Sequence, residues 1–297
     1  LVRLSMKEQF NKGLLLTSLG SFWWGFIGVI YFQYVSFIGH IELIVHRCLW
    51  TAVMLIFTTS ILSKWNLFKD IFKNKKTLFA LLVSGFLIFI NWAVWIYAVA
   101  TERIIDASFG YFIMPIISVL LGYIFFKEKL NSKRIFSILL VLLSIIILIF
   151  INLKSLPWVG LIVAFSWAFY NLIRKKINVD TDVGILIESL YILPFALLIF
   201  YFITKNGFND FSLSNPGLSL FLILAGPMTV IPLFLYVRGV ELIGLGPTGM
   251  IFYITPTLQF ILGYFYYNEE FSIIKFVSFI IIWIAVVIYL KDLYETS

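Results

Sequence analysis

Cysteine is almost missing from this chain: Cys48 is the single one in 297 residues, which excludes an intrachain disulfide and a cysteine-built metal cluster. Histidine is nearly as scarce, with two residues at no metal-ligand spacing and no Ser/His/Asp arrangement around them. A glycine-rich phosphate loop is also lacking, which argues against direct ATP drive. Charge is sparse: Asp, Glu, Lys and Arg make up 12% of the residues, where soluble chains carry about 25%. Apolar residues fill the space, at 62% with a mean hydropathy of +1.03. So much apolar surface needs lipid as its solvent. The net charge of +7 sits in short basic clusters between apolar runs, where it sets topology and does not form a nucleic-acid surface.

A membrane-crossing helix takes about 20 mainly apolar residues. That length divides the chain into spans at 13–32, 41–62, 77–100, 104–126, 135–151, 158–173, 183–203, 219–236, 243–267 and 273–290. The first run follows Lys7 and Lys12 like a signal peptide, but it is long and lacks a small-residue cleavage site, so it reads as an uncleaved helix. Met6 is the expected start, and the five residues before it are set aside. With the amino terminus in the cytoplasm, sixteen Lys and Arg fall in inside segments and four outside, which also places the carboxyl terminus inside.

The chain repeats itself. Residues 111–130 (YFIMPIISVLLGYIFFKEKL) and 252–271 (FYITPTLQFILGYFYYNEEF) share a proline, a Gly-Tyr pair and a terminal Glu at a shift of 141. Phe22, Trp24 and Phe26 echo Phe165, Trp167 and Phe169 at 143. Each repeat then holds five helices, and an odd number inverts the second copy. The expected fold is therefore all-α and integral to the membrane: a cytoplasmic segment 1–12, a five-helix repeat 13–151, its inverted copy 158–290 and a cytoplasmic tail 291–297. Pro115 and Pro256 lie near mid-bilayer in matched helices and are candidate hinges, although membrane helices also tolerate proline for packing alone.

Several segments resemble the RarD-type transporters of the EamA branch of the drug/metabolite transporter superfamily. They are His46-Arg47-Cys48-Leu49-Trp50, Ala107 to Phe112, Arg174-Lys175-Lys176, Leu186-Ile187-Glu188 and Thr255-Pro256-Thr257. The resemblance implies a ten-helix transporter of the bacterial inner membrane, with helices one to four and six to nine around a cavity and five and ten peripheral. It also implies kinship with permeases linked to chloramphenicol sensitivity and drug resistance. Its motifs cover His46, Arg47 and Glu188.

An ionisable group at the bilayer centre costs at least ~2.5 kcal/mol, so each one needs a reason. Helix depth sorts them into an outer cluster of Glu42, His46, Arg47, Glu102 and Asp106 and an inner cluster of Glu188, Arg238 and Glu241. The two levels are ~13 Å apart, too far for Arg47 to meet Glu188 directly. The expected gates pair Arg47 with an outer acid and Glu188 with Arg238. Snorkelling to headgroups is the competing account, strongest for Arg238, Glu241 and Glu42 near helix ends. His46, one turn from Glu42, offers a proton-coupling site or a structural hydrogen-bonding group.

Trp24, Asn91, Trp95, Tyr111, Trp167 and Tyr253 are candidate cavity residues, with packing or lipid contact as the alternative. The resulting expectation is alternating-access transport of a small amphipathic or aromatic molecule, with export favoured by the resemblance. A proton or counter-substrate is the coupling partner, and the protein works as a monomer or homodimer. Uptake, an intramembrane enzyme and a non-transporting receptor or complex subunit are the rival readings. No catalytic residue, metal or cofactor is assigned.

Overall fold

The computed structural model describes residues 6–100, 104–152, 158–266 and 273–296, and those residues contain helices and no strand. Helix α1 (Met6–Phe22) passes through a π-helical turn (Trp23–Gly28) into α2 (Val29–Tyr34). Then come α3 (His40–Ile61), the short α4 (Trp65–Ile71), α5 (Lys75–Ala100), α6 (Ile104–Phe126) and α7 (Ser132–Asn152). The remainder forms α8 (Trp158–Ile177), α9 (Thr181–Lys205), α10 (Pro216–Ile243), α11 (Leu245–Ile251), α12 (Ile254–Phe265) and α13 (Ile273–Thr296). Six of the described stretches are long and apolar enough to cross a membrane: Met6–Tyr34, His40–Ile61, Lys75–Ala98, Thr181–Lys205, Pro216–Ile243 and Phe276–Thr296. Large apolar side chains such as Phe57, Phe79, Leu139, Phe195 and Val287 point outward, a surface suited to lipid.

Local chemistry sets several boundaries. Asn215 accepts the Leu218 N–H at 3.2 Å and Pro216 opens α10, a pairing that satisfies one free amide and removes another. At the other end Gly244 takes φ 95°, a left-handed conformation that glycine adopts without strain. The ninth apolar run, expected as one helix, is split at Phe252–Tyr253. Pro256 has no N–H for the Phe252 carbonyl, which accepts instead from Thr255 at 2.9 Å. Pro115 has no such effect, and α6 runs through it unbroken.

The helices pack in a consistent pattern. α1 lies on α10, α8 on α5 and α6, and α3 against α9 and α10, while α5 also touches α9. α11 rests on α6, α12 on the π-helical turn, and α7 mainly on α13. Small residues permit the close crossings. A Cβ on Gly25 would lie 2.8 Å from the Thr255 carbonyl oxygen, so backbone meets backbone where the π-helical turn crosses α12. Thr255 completes that contact by donating to the Ser21 carbonyl at 2.9 Å.

Candidate functional site

The α3–α4, α6–α7, α8–α9 and α10–α11 connections gather at one end of the bundle, here called the basic end for its Lys and Arg. Toward the far end the helices part around a cavity with ≈ 660 Å³ of atom-free space, including the part that opens to the exterior. Aromatic residues dominate its wall: Trp24 and Phe32 from the first helix, Trp92 and Trp95 from α5, Tyr111 from α6, Trp167 from α8 and Phe252. Polar groups are few. Asn91 donates to the Val163 carbonyl at 2.9 Å and to Ser166 Oγ at 3.1 Å, while Thr255 and Gln259 also line the space. Five of the six expected cavity residues, Trp24, Asn91, Trp95, Tyr111 and Trp167, stand on this wall. Tyr253 does not. It is fully buried among α7 and α13 residues and donates to the Phe112 carbonyl at 2.9 Å.

Arg47 is the cationic side chain in the wall among the described residues. Its Nε donates to Thr229 Oγ1 at 3.0 Å, and its guanidinium lies 4.5 Å from the Trp92 ring centre and 5.1 Å from that of Phe32. The expected carboxylate partner is not there among the described residues. Glu42 accepts the N–H groups of Asp210 and Phe211 at 2.8 and 3.2 Å, and lies 3.4 Å from His46 Nε2. For Glu42 helical geometry gives the reason: residues 42 and 46 share a face, whereas residue 47 is rotated about 140° from 42. Trp50 Nε1 donates to His46 Nδ1 at 3.1 Å, so both imidazole nitrogens face groups of the same helix. Glu102 lies outside the described residues, as does the side chain of Asp106.

Toward the basic end an aromatic plug closes the cavity. Trp24 and Trp167 meet edge to face at 5.0 Å, and Tyr236 packs on both at 5.7 and 5.3 Å. Behind the plug lies a sealed polar layer. Glu188 accepts from Ser84 at 2.6 Å and from Tyr170 at 3.2 Å, and it pairs with Arg174 at 3.5 Å. Tyr170, Arg174 and Glu188 are each no more than 1% exposed. The pairing expected for Glu188 is thus corrected from Arg238 to Arg174. Arg238 projects from α10 at the surface and pairs with Glu241 at 2.7 Å, one turn along its own helix. Arg174 reaches inward because Gly184 leaves room: any Cβ there would collide with the guanidinium. Its Nη2 donates to the Thr181 carbonyl at 3.0 Å, and Thr181 Oγ1 donates to Glu241 at 2.9 Å, joining the layer to the surface pair.

Two further ties hold the basic end. Glu128 accepts the N–H groups of Leu245 and Gly246 at 2.8 and 2.9 Å, fastening the α6–α7 connection to the start of α11. Burial pushes its carboxyl pKa up, against the pull of those two N–H groups. Lys64 pairs with Asp180 at 3.0 Å and Asp182 at 2.7 Å, clasping the α3–α4 turn to the start of α9.

The profile of the EamA-like transporter family matches residues 11–150 and again 155–291. The chain belongs to the EamA-like transporter family. Protein RarD of Escherichia coli K12 is 33% identical over 290 residues, which cover 98% of this chain and 97% of that one. An uncharacterized transporter of Vibrio cholerae is 32% identical over 286 residues, 96% and 94% of the two chains. More distant, the chloramphenicol-sensitive protein RarD of Pseudomonas aeruginosa is 22% identical over 254 residues, 84% of this chain and 83% of its own. A solved crystal structure superposes with a TM-score of 0.71 at 12% identity, over 94% of this chain and 97% of that one, a likeness of fold alone. This EamA-like transporter of the RarD type is accordingly a multi-pass membrane protein. The sealed layer and the cavity wall of this EamA-like transporter hold residues that the sequence pattern hid. Arg174 sits in a run of three basic residues that reads as a topology signal, and Ser84, Tyr170 and Thr229 carry no spacing of their own. Glu128 was visible only as the repeated terminal Glu.

Proposed function

We propose that this chain is a secondary transporter that moves a small amphipathic or aromatic molecule by alternating access through ten spans built as two inverted five-helix repeats. In this scheme α1, its π-helical turn and α2 form one span, and α11 with α12 form another. The twofold match of the family profile supports the duplication. So does the mirrored packing, in which α1 on α10 answers α8 on α5, and α3 on α10 answers α9 on α5. In this reading the repeats are residues 13–151 and 158–290, and the bias of Lys and Arg among the loops supports a cytoplasmic basic end and cytoplasmic termini in a bacterial inner membrane.

The observation that carries the reading is the aromatic cavity, closed on the basic side by the Trp24–Trp167–Tyr236 plug and the Arg174–Glu188 layer. A site blocked from one side and open toward the other is half of an alternating-access cycle. Opening the basic end has to part α9 from α5 and α8, which breaks the Glu188 contacts with Ser84, Tyr170 and Arg174. Glu188 and Arg174 therefore form the inner gate, joined at the surface by Arg238 and Glu241. Pro256, at the split between α11 and α12, and Pro115 are the hinges. A proton or counter-substrate drives the cycle, with the Glu42–His46 pair as the protonatable element. Export of a drug-like or metabolite cargo is favoured over uptake, on the family resemblance alone.

The test compares intracellular and extracellular metabolite profiles of cells with and without the protein, then repeats any difference in proteoliposomes. A compound that moves across the bilayer only when the protein is present supports the reading. Identical profiles, with no flux of any aromatic or amphipathic compound in the vesicles, overturn it.

A further inference from the structure

We infer that the cargo site recognises a monoanion, a carboxylate carried on a flat apolar body, with the Arg47 guanidinium as its receptor. This rests on the transport reading above, because it treats the aromatic cavity as the cargo site. Arg47 is 6% exposed, and what it exposes faces the cavity. A buried guanidinium is ordinarily matched by a carboxylate, and the inner layer shows that match in Arg174 with Glu188. Arg47 has none among the described residues: its polar contact is Nε to Thr229 Oγ1, which leaves both Nη groups without an acceptor.

The surrounding groups sharpen the class of ligand. Trp92 and Phe32 stand against the guanidinium, holding its plane and excluding water from its sides. Among the described residues no acidic side chain lines the cavity; the nearby Glu42 is occupied by His46 and two backbone N–H groups. One positive charge in an apolar site selects one negative charge. A phosphate dianion would bring an excess of charge, and a cation would meet repulsion. With Nε engaged, the two Nη groups present the end of the fork, which suits the two oxygens of a carboxylate. Beyond the fork the wall is Trp24, Trp95, Trp167 and Phe252, surfaces for a planar body and not for a sugar or polyol.

The test is equilibrium binding by calorimetry on the full-length protein in nanodiscs. The probes are benzoate, phenylacetate, 3-phenylpropionate and indole-3-acetate, each with its neutral amide, plus acetate and chloride. At least one aromatic carboxylate is expected to bind tenfold or more tightly than its amide, with acetate and chloride far weaker. Arg47→Gln is expected to erase that preference while leaving amide affinity within about threefold. Arg47→Lys keeps the charge without the fork and is expected to retain only part of the preference. Two results overturn the inference: no carboxylate out-binding its amide, or a preference that survives Arg47→Gln in protein with an unchanged gel-filtration profile. Chloride competing at the affinity of the carboxylates would reduce the site to a simple halide site and also overturn it. Flux of the same probes in proteoliposomes separates the two readings. Arg47-dependent binding without flux contradicts transport and leaves the anion site standing, whereas flux without charge preference does the reverse.

Discussion

Glu188 is surrounded by three partners from two neighbouring helices, Ser84 of α5 and Tyr170 and Arg174 of α8, and removing one member leaves the others buried and unpaired. Glu188→Ala is therefore expected to destabilise the folded protein by about 3–5 kcal/mol, because Arg174 is left without its counter-charge. Arg174→Met combined with Glu188→Leu is expected to recover most of that loss, and denaturant titration in detergent micelles reads both. If the double variant is as unstable as the single one, the pair is not the source of the effect. Glu188 itself was legible in the sequence as an ionisable residue inside an apolar run. Its partner was not, because Arg174 lies beside Lys175 and Lys176 and only the space over Gly184 turns it inward. Arg47 was legible in the same way, and its offset of five positions from Glu42 turns that one of its three expected partners away.

The first span and the α11–α12 pair meet at their irregular points, the π-helical turn and the break before Pro256. The helices matched to them in the proposed repeat, α8 and α6, also touch, yet both are regular. Sequence repetition made the matched prolines visible. It could not show that one breaks its helix and the other does not, since that depends on which backbone packs alongside. Gly25→Val places a branched side chain against the Thr255 backbone and is expected to cost about 1–3 kcal/mol in the same titration, with no loss at an outward-facing position such as Phe57→Leu. Pro256→Ala returns an N–H that can bond the Phe252 carbonyl. Slower hydrogen exchange of the amides around 252–256 is the expected outcome, and unchanged exchange would show that packing, not the missing donor, keeps α11 and α12 apart.

Across the whole molecule, apolar run length and loop charge were enough to expect a multi-pass membrane protein. The closed layer at the basic end needed three-dimensional contacts, as did the Lys64 clasp between distant turns. Burial works against the Lys64 ammonium, but hydrogen bonds to Asp182 and Asp180 outweigh it and raise its pKa above the ordinary 10.5. Burial likewise works against the Asp180 carboxylate, and its bonds with Asp182 and Lys64 lower its pKa below the ordinary 3.8. The Lys64 contribution is thus complete below pH 10.5 and lost as pH rises through the raised value. That of Asp180 is present above pH 3.8 and lost as pH falls through the lowered one. Lys64→Met is expected to lower thermal stability most where Lys64 is charged and both aspartates are ionised, and progressively less in acid as the carboxylates are protonated, as a melting series would show.

Alternating access makes one demand on the whole molecule: the cavity reaches one side of the membrane at a time. A cysteine at Gln259 on the cavity wall, with Cys48 replaced by Ser, can be probed with a membrane-impermeant maleimide on oriented vesicles. Labelling is expected from the outer face while the Arg174–Glu188 layer is intact, and Glu188→Gln is expected to shift it toward the cytoplasmic face with a matching loss outside. Equal labelling from both faces, unaffected by Glu188→Gln, would contradict the account.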